Sequence, residues 1–294
     1  MDRIAPWLQR HWDYRAAGNF IGGGTGTGLA IVAALLPLSG DWSRWPAFLA
    51  AGLFICAGLS LVWLEIGRPW RFLHVFFNPH TSWMTREALV APPLLAALGA
   101  AAWPGGRAAA AVVTVLALAF LYSQARVLRA SKGIPAWREP RIVPLIVATG
   151  LAEGAGGFLV LTAIFGAALL GPWVIGLAAL LVAIRWFAWE SYRRRLAEGQ
   201  APTRALAALQ AIQGPFIALG VGAPLLLLVV ALVWPEASVV LAAAAGAAAT
   251  AGGWLVKGTI VTRAAFNQGF ALPHLPLRGV GASASGPAAR PGWS

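Results

Sequence analysis

Charged residues are scarce in this chain, and cysteine and histidine are scarcer still. Only 11% of the residues are charged, whereas soluble globular domains carry about 25%. The single cysteine, Cys56, excludes an internal disulfide bond and an iron–sulfur cluster held by this chain alone. Haem b needs axial ligands, typically histidine, at membrane depth, and zinc needs clustered Cys, His or acidic ligands. We expect neither haem nor a metal site, because all four histidines lie outside the apolar runs: His11, His74, His80 and His274.

The chain is instead rich in long apolar runs. Hydrophobic residues make up 59% of it, and the mean hydropathy is +0.72. Because a helix crosses the hydrocarbon core in about 20 residues, this composition predicts an all-α, polytopic membrane protein with about eight transmembrane helices in a bundle. We expect a transmembrane domain over residues 1–274 and a disordered cytoplasmic tail, rich in Gly, Ala, Ser and Pro, over 275–294. The predicted spans are roughly 18–38, 46–66, 87–104, 107–128, 142–170, 172–191, 205–233 and 238–262.

Basic residues outnumber acidic ones by 22 to 10, which gives a formal net charge of +12. A nucleic-acid-binding protein would need a soluble module to present its basic face, and no long stretch here is free of apolar spans. We therefore exclude nucleic acid and attribute the charge to the positive-inside rule. One side of the membrane would hold 20 of the 22 basic residues if it contained both termini and every second connection, namely those between spans 2 and 3, 4 and 5, and 6 and 7. This distribution predicts that both termini lie in the cytoplasm.

Charge and aromatic rings concentrate between spans two and three, in the stretch WLEIGRPWRFLHVFFNPHTSWMTR. Oxidising a quinol requires donors that hold its oxygens and a base that accepts its protons, and Glu or His suits that base. A carboxylate near a helix end can simply be solvated, but two of them flanking a loop rich in Arg, His and Trp indicate a functional site. We predict that Glu65, Glu87 and His74 transfer protons. We expect Arg68 and Trp83 to supply hydrogen-bond donors and an aromatic wall.

The first span begins GNFIGGGTGTGLA, a glycine pattern that could be mistaken for a phosphate-binding loop. No lysine follows it as a Walker pattern requires, and no strand precedes it. Glycines four residues apart, such as Gly18 and Gly22, instead allow close helix–helix approach in lipid. The alternative is that a quinone ring passes this glycine face, where Asn19 is the candidate quinone-binding residue.

Glu153 lies roughly halfway across the fifth predicted span. An ionisable group at that depth is costly and is a functional candidate by default, so we predict that Glu153 handles protons or binds a ligand. The alternative is a protonated Glu that hydrogen-bonds to a neighbouring helix. Lys257 is expected to snorkel to the cytoplasmic surface, with an ion pair to Glu153 or Glu190 as the alternative. Arg185 and Glu190 lie in an aromatic girdle, which we interpret mainly as an interfacial anchor.

Two long motifs carry a resemblance to a known family. The first motif is WLEIGRPWRF with TSWMTREALVAPPLL after it, and the second is RASKGIPAWREPRIVPLI. In these motifs the chain resembles the integral membrane subunits of complex iron–sulfur molybdoenzymes. The similarity is to the dimethyl sulfoxide reductase anchor family, which is related to the polysulfide reductase and nitrite reductase membrane subunits, and it runs from roughly residue 10 to 265. It implies about eight helices, no haem, and a quinone site near the surface that faces an iron–sulfur subunit.

The resemblance also implies roles and partners. Glu65 occupies the position before the family's L-G-x-P, where the dimethyl sulfoxide reductase anchor has a quinol-linked histidine and the polysulfide type has an acid; Glu87 matches an acid that begins the third helix. The implied cofactor is menaquinone or ubiquinone, and the implied partners are a ferredoxin-like iron–sulfur subunit and a molybdopterin catalytic subunit, in the bacterial inner membrane. Combined with the charge distribution, this places those partners in the cytoplasm, where sulfite or phenylacetyl-CoA oxidation fits.

Two other functions are compatible with the sequence. A secondary transporter could use Glu153 at mid-depth together with the helices that Gly and Pro interrupt, but it predicts a related pattern in the two halves of the chain, and no convincing one is present. A purely structural anchor would tether its partners in the membrane without touching quinone.

Overall fold

The computed structural model describes residues 5–35, 45–66, 69–103, 107–166, 170–199 and 201–269. These residues form helices joined by short connections, and none of them lies in a β-sheet. The predicted tail over residues 275–294 lies outside the described residues. The α-helices are α1 (Tyr14–Leu35), α2 (Trp45–Glu65), α3 (Trp83–Ala102), α4 (Arg107–Ala130), α5 (Pro135–Arg138), α6 (Ile142–Phe165), α7 (Pro172–Glu198), α8 (Thr203–Pro215), α9 (Ala223–Val233) and α10 (Ser238–Gly258).

Tighter or wider helical turns extend several of these elements. A 3₁₀-helix, Pro69–Phe77, connects α2 to α3, and another, Pro235–Ala237, precedes α10. A π-helical segment, Phe216–Gly222, joins α8 to α9 into one continuous helical span, and a second, Thr259–Arg263, extends α10. Single π turns within helices occur frequently at functional sites.

Seven helical segments of the described chain are long and apolar enough to cross a membrane. They confirm the prediction of an all-α polytopic membrane protein, and they are Tyr14–Leu35, Trp45–Glu65, Ala108–Ala130, Ile142–Phe165, Pro172–Glu198, Thr203–Val233 and Pro235–Arg263. The remaining predicted span corresponds to α3, which is a continuous helix of 20 residues but is less apolar. Its first turns carry Arg86 and Glu87, and Pro92 and Pro93 lie at its middle.

α1 lies at the centre of the bundle, where it packs against α2, α4, α6 and α10. In its most apolar stretch 78% of the residues are buried, compared with 28% in α2. Glycines permit this close packing: a Cβ atom at Gly22 would meet backbone atoms of α2 around Gly58, and one at Gly28 would meet the Gly150 carbonyl of α6. The glycine pattern of the first span therefore serves helix packing.

Four chain segments that the charge distribution assigned to one side meet at one end of the bundle, called here the basic end. Gln9 N donates to the Ala265 carbonyl at 3.0 Å, so the described N- and C-terminal segments lie side by side. The Trp12 ring stacks on Trp137 of α5 at a centroid distance of 4.7 Å. The Tyr192 hydroxyl of α7 donates to the backbone of α5 at 2.7 Å. The relative grouping of these segments agrees with the sequence, while the compartment that they face stays a prediction.

Candidate functional site

A cavity of about 580 Å³ lies at the basic end, between α1, α2, the 3₁₀-helix Pro69–Phe77 and α3. This volume is within the range of roughly 300–1,000 Å³ that is typical of small-molecule sites. Most of the lining is apolar, and aromatic rings contribute much of it, including Phe20, Phe72 and Phe76. Four polar side chains also line the cavity: Asn19, Ser60, Glu65 and Glu87. Three of the seven residues predicted to form the quinone site therefore lie on one cavity.

Glu87 is the buried carboxyl of this cavity, with 6% of its surface exposed. α3 begins at Trp83 because Ser82 caps it, accepting a hydrogen bond from Thr85 N at 3.2 Å. This start places Glu87 in the second turn of the helix, facing α1 and α4. Its Oε1 accepts hydrogen bonds from Asn19 Nδ2 at 3.3 Å and from Gln124 Nε2 at 3.4 Å. Gln124 Nε2 also donates to the Asn19 carbonyl at 2.9 Å, so two amides hold the carboxyl from one side.

Acceptor atoms outnumber donors around Glu87. Asn19 Oδ1 and Gln124 Oε1 are buried and have no hydrogen-bond partner within the part of the chain that the structure describes. Glu87 Oε2 accepts no hydrogen bond from any side chain or backbone group of the described residues. Buried polar groups are normally paired, so each exception needs an explanation. A ligand with a hydroxyl donor would fit this arrangement, because it would supply the hydrogen bond that Glu87 Oε2 does not receive from the described residues.

Glu65 lines the same cavity from the last residue of α2, where it is half-buried. Arg15 Nη1 donates to the Leu64 carbonyl at 3.1 Å and so ties this helix end to α1. Asp13 lies just before α1 and forms an ion pair with Arg15 at 2.9 Å. The hydrogen bond from the Arg15 side chain lowers the pKa of the Asp13 carboxyl. An acidic group, Glu65, therefore lies between the cavity and a charged surface.

Two further predicted residues, His74 and Trp83, lie away from the cavity. His74 is exposed on the 3₁₀-helix, with its ring centroid 5.9 Å from that of Phe77, and it does not line the cavity. Trp83 does not line it either; its ring lies against Arg86 and Arg126, with the Cζ atoms 4.1 and 4.4 Å from its centroid. Arg68 lies outside the described residues.

Sequence reasoning missed Gln124. It is fully buried in α4, and it links Glu87 to the backbone of α1. The available signal was a polar amide inside a predicted span, in the run LYSQARV, because intramembrane polar residues usually face the bundle interior. Its partners could not be read from this signal, since Gln124 and Asn19 are far apart in the chain.

A second buried cluster surrounds Glu153, deeper in the bundle. Lys257 Nζ lies 2.6 Å from Glu153 Oε2, and both side chains are completely buried. Thr25 donates to the same oxygen at 2.8 Å, and Trp254 Nε1 donates to Thr25 at 3.0 Å. The prediction that Lys257 snorkels to the surface is therefore wrong, and the alternative, an ion pair with Glu153, is correct.

Glycines make room for this ion pair. A Cβ atom at Gly24 of α1 would overlap Lys257 Nζ, and one at Gly253 of α10 would overlap Glu153 Oε1. The two helices that carry the charges also pack closely against each other and against α1. The side chain of Lys257 can therefore extend into the bundle rather than toward the surface.

Arg185 is also completely buried, so its interpretation as an interfacial anchor is wrong. Its Nη1 donates to the Ala249 carbonyl at 2.5 Å and its Nη2 donates to the Gly220 carbonyl. Pro224 has no N–H and cannot donate to the carbonyl four residues before it, which is that of Gly220. Arg185 supplies a donor for that carbonyl within the π-helical segment. Glu190, by contrast, is partly exposed and forms an ion pair with Arg193 at 3.6 Å.

The polar chemistry described above consists of carboxyls, amides and basic groups. No group of three or more His, Cys, Asp or Glu side chains within the described ranges could hold a metal ion. No protein-family model matches this chain, and no curated protein sequence matches it.

Proposed function

We propose that this chain is the quinone-reactive membrane anchor subunit of an iron–sulfur molybdenum oxidoreductase. One observation carries the proposal: the buried carboxyl of Glu87 lines an apolar cavity of about 580 Å³ that also reaches Glu65. Two amides hold one oxygen of this carboxyl, and the other oxygen has no donor among the described residues. A quinol bound there would supply two electrons and two protons on oxidation, and a quinone would take them up on reduction.

Each polar residue of the cavity has a role in this proposal. Glu87 accepts a proton at Oε2 from a ligand hydroxyl, while Asn19 and Gln124 keep the carboxyl oriented through Oε1. The two protons leave one after the other: Glu65 receives each at the surface end of the cavity and releases it to water, which frees Glu87 to accept the next. The apolar and aromatic wall excludes water from the ligand, which strengthens hydrogen bonds inside. General acid–base catalysis by a positioned carboxyl typically accelerates proton transfer by about 10²–10⁴-fold.

The electrons need a redox centre on another chain, because a single cysteine cannot hold an iron–sulfur cluster. We propose a ferredoxin-like iron–sulfur subunit docked at the basic end, next to the cavity, and a molybdopterin catalytic subunit bound to it. The motif resemblance supports these partners, and the charge distribution supports their location on the cytoplasmic face of a bacterial inner membrane. A cytoplasmic substrate of the sulfite or phenylacetyl-CoA type fits this orientation.

The first prediction concerns the cavity carboxyl. In the complex purified from its native membrane, Glu87→Gln should lower quinol-linked electron transfer by about a hundredfold or more, because the amide of Gln cannot accept the proton. Glu65→Gln should lower it less, because Glu65 is half-buried and water can partly replace it. Turnover with a quinol analogue and the thermal unfolding of each variant are measured together. The comparison separates a loss of proton transfer from a loss of folded protein.

Glu236→Gln is the matched control, because Glu236 is exposed at the start of the α10 span and belongs to neither buried cluster. It should keep wild-type turnover. Full turnover in a folded Glu87→Gln complex would contradict the proposed role of Glu87. If a quinone analogue at saturation left the spectroscopic signal of the partner's iron–sulfur cluster unchanged, the result would favour a purely structural anchor over a quinone-reactive one.

Purification of the tagged chain from its native membrane tests the partners themselves. Mass spectrometry should find a ferredoxin-like subunit and a molybdopterin subunit, and metal analysis should find iron and molybdenum. A chain that purifies alone and catalyses solute uptake in liposomes would instead support the transporter, in which Glu153 carries the coupling proton.

A further inference from the structure

Two arginines and two aromatic residues form a compact group at the outer surface of α3 and α4, called here the arginine cluster: Trp83, Arg86, Tyr122 and Arg126. The Trp83 ring lies within cation–π distance of both guanidinium groups, and it meets the Tyr122 ring edge-on at a centroid distance of 5.7 Å. Arg126 Nη1 donates to the Tyr122 hydroxyl at 2.6 Å. These contacts hold two positive charges close together on one surface.

The two charges have no anionic partner in the described part of the chain. No carboxylate among the described residues lies within ion-pair distance of either arginine. Arg86 uses Nε and Nη2 on the carbonyls of Pro79 and His80, both at 2.8 Å. Nη1 of Arg86 and Nε and Nη2 of Arg126 have no acceptor among the described residues. The neighbouring carboxyl, Glu87, binds Asn19 and Gln124 on the inner side of α3.

The arginine cluster lies at the end of an exposed apolar stripe on α4. Val112, Val115, Leu118 and Tyr122 are 50, 66, 43 and 42% exposed, and they recur every three or four residues, so they share one helix face. Arg126 is the next residue on this face. Between Val112 and Arg126 the stripe is about 21 Å long, at about 1.5 Å per residue, which is most of the hydrocarbon thickness. In a spanning helix this stripe faces acyl chains, and its end reaches the headgroup region.

We propose that the arginine cluster binds the phosphate of an anionic phospholipid whose acyl chains lie along the Val112–Leu118 stripe. Guanidinium groups bind phosphate through short, charge-assisted hydrogen bonds, and tyrosine and tryptophan are enriched at headgroup depth. The continuity between unpaired basic groups and an exposed apolar stripe favours a lipid over a free phosphate ion. The lipid would brace the helices that carry Glu87 and Gln124, but its binding does not depend on the proposed quinone chemistry.

Lipid retention by the full chain tests this proposal. The purified wild type, the double variant Arg86→Gln/Arg126→Gln and the control Arg194→Gln/Arg204→Gln are titrated with phosphatidylglycerol or phosphatidylcholine and examined by native mass spectrometry. The control removes two exposed arginines of α7 and α8 and has the same change in charge. A basic residue in contact with the lipid phosphate strengthens binding about fivefold, so loss of both cluster arginines should weaken phosphatidylglycerol binding roughly twenty-five-fold. The control arginines belong to no such cluster and do not contact the bound phosphate. The control should match the wild type, and phosphatidylcholine should bind weakly to all three.

A second measurement needs no variant. A photoactivatable phosphatidylglycerol, with the reactive group in its acyl chain, should label peptides that contain the Val112–Leu118 stripe more than the other exposed helix faces. Equal phosphatidylglycerol retention in the three proteins, or uniform labelling of all apolar helices, would overturn the proposal. Competition by millimolar inorganic phosphate, with no preference for phosphatidylglycerol, would assign the site to a free phosphate and overturn it as a lipid site.

Discussion

Two buried carboxyls of this protein have opposite surroundings. Glu87 accepts hydrogen bonds from neutral amides and lines a cavity. Glu153 instead forms an ion pair with Lys257, accepts a hydrogen bond from Thr25, and does not line that cavity. A carboxyl that faces a ligand-sized space can exchange protons with what enters it. A carboxyl enclosed with its counter-ion has no such space beside it, and it depends on that counter-ion to offset the cost of burying its charge. The two residues should therefore respond differently to substitution.

At the Glu153 pair we expect a large loss of stability from removing one partner. Lys257→Met leaves Glu153 uncompensated in the bundle, and breaking a buried pair in this way costs about 3 kcal/mol or more. The double variant Glu153→Leu/Lys257→Met should recover part of this loss, because no lone charge remains. Thermal unfolding in detergent measures both.

The exposed pair of Arg195 and Glu198, 2.9 Å apart, is the control. Glu198→Gln should change the free energy of unfolding by less than about 1 kcal/mol, because exposed ion pairs contribute little. If Lys257→Met were as harmless as Glu198→Gln, the ion pair would not stabilise the bundle.

Among the elements, α1 relies on glycines at several of its contacts with neighbouring helices. Gly28 of α1 and Gly150 and Gly154 of α6 approach so closely that a Cβ atom at Gly28 would overlap the Gly150 carbonyl. The atoms that this Cβ would meet belong to the backbone of Gly150 and Gly154. Relief of the overlap would therefore require one of the two helices to shift as a whole. This packing also sets the depth at which Thr25 meets Glu153.

Gly28→Ala should therefore destabilise the protein by about 2 kcal/mol through overpacking. Gly176→Ala in α7 is the control, since a Cβ there meets no atom within 4 Å. That substitution should be neutral or stabilising by up to about 1 kcal/mol, because Ala is the better helix former. Equal unfolding temperatures for the two variants would contradict the close α1–α6 contact.

The α8–α9 span is a second element that depends on one distant side chain. Arg185 of α7 donates to the Gly220 carbonyl, for which Pro224 cannot be a donor. We expect Arg185→Met to lower stability by about 1–3 kcal/mol, because a buried carbonyl loses its donor. Pro224→Ala restores an N–H four residues after Gly220, so the double variant should recover part of the loss in a thermal melt. No recovery would show that Arg185 acts through its other contacts.

On the scale of the whole molecule, the described terminal segments, α5 and the end of α7 meet at the basic end, where the cavity also lies. Glu236, at the start of the last span, lies at the opposite end, because α10 runs from there to the basic end. The positive-inside rule predicts that the basic end faces the cytoplasm.

Labelling of single cysteines in a Cys56→Ser background tests this orientation. In intact spheroplasts a membrane-impermeant maleimide should label Glu236→Cys at once and Arg138→Cys only after the membrane is opened. Both positions are exposed, so accessibility reports the compartment. The reverse pattern would move the proposed partners to the other side of the membrane.

The architecture could be predicted from the sequence: an all-α membrane bundle, the approximate position of its spans, and the grouping of its basic connections at one end. These properties follow from local composition, because a spanning helix satisfies its own backbone hydrogen bonds and needs only a long apolar run. Glu65, Glu87 and Asn19 could also be predicted as site residues from the local sequence, since each is polar at a span boundary or inside a span.

Which polar groups meet depends on how the helices pack, and it could not be predicted from the sequence. Gln124 reaches Glu87, Lys257 reaches Glu153 and Trp83 lies against Arg126 because of how each helix is rotated and where glycines let a neighbour approach. The snorkelling prediction for Lys257 was wrong because distance along the chain measures depth in the membrane but not direction around the helix. That direction is set by the packing of side chains from helices distant in sequence. The sequence of a single helix does not show which helices will pack against it.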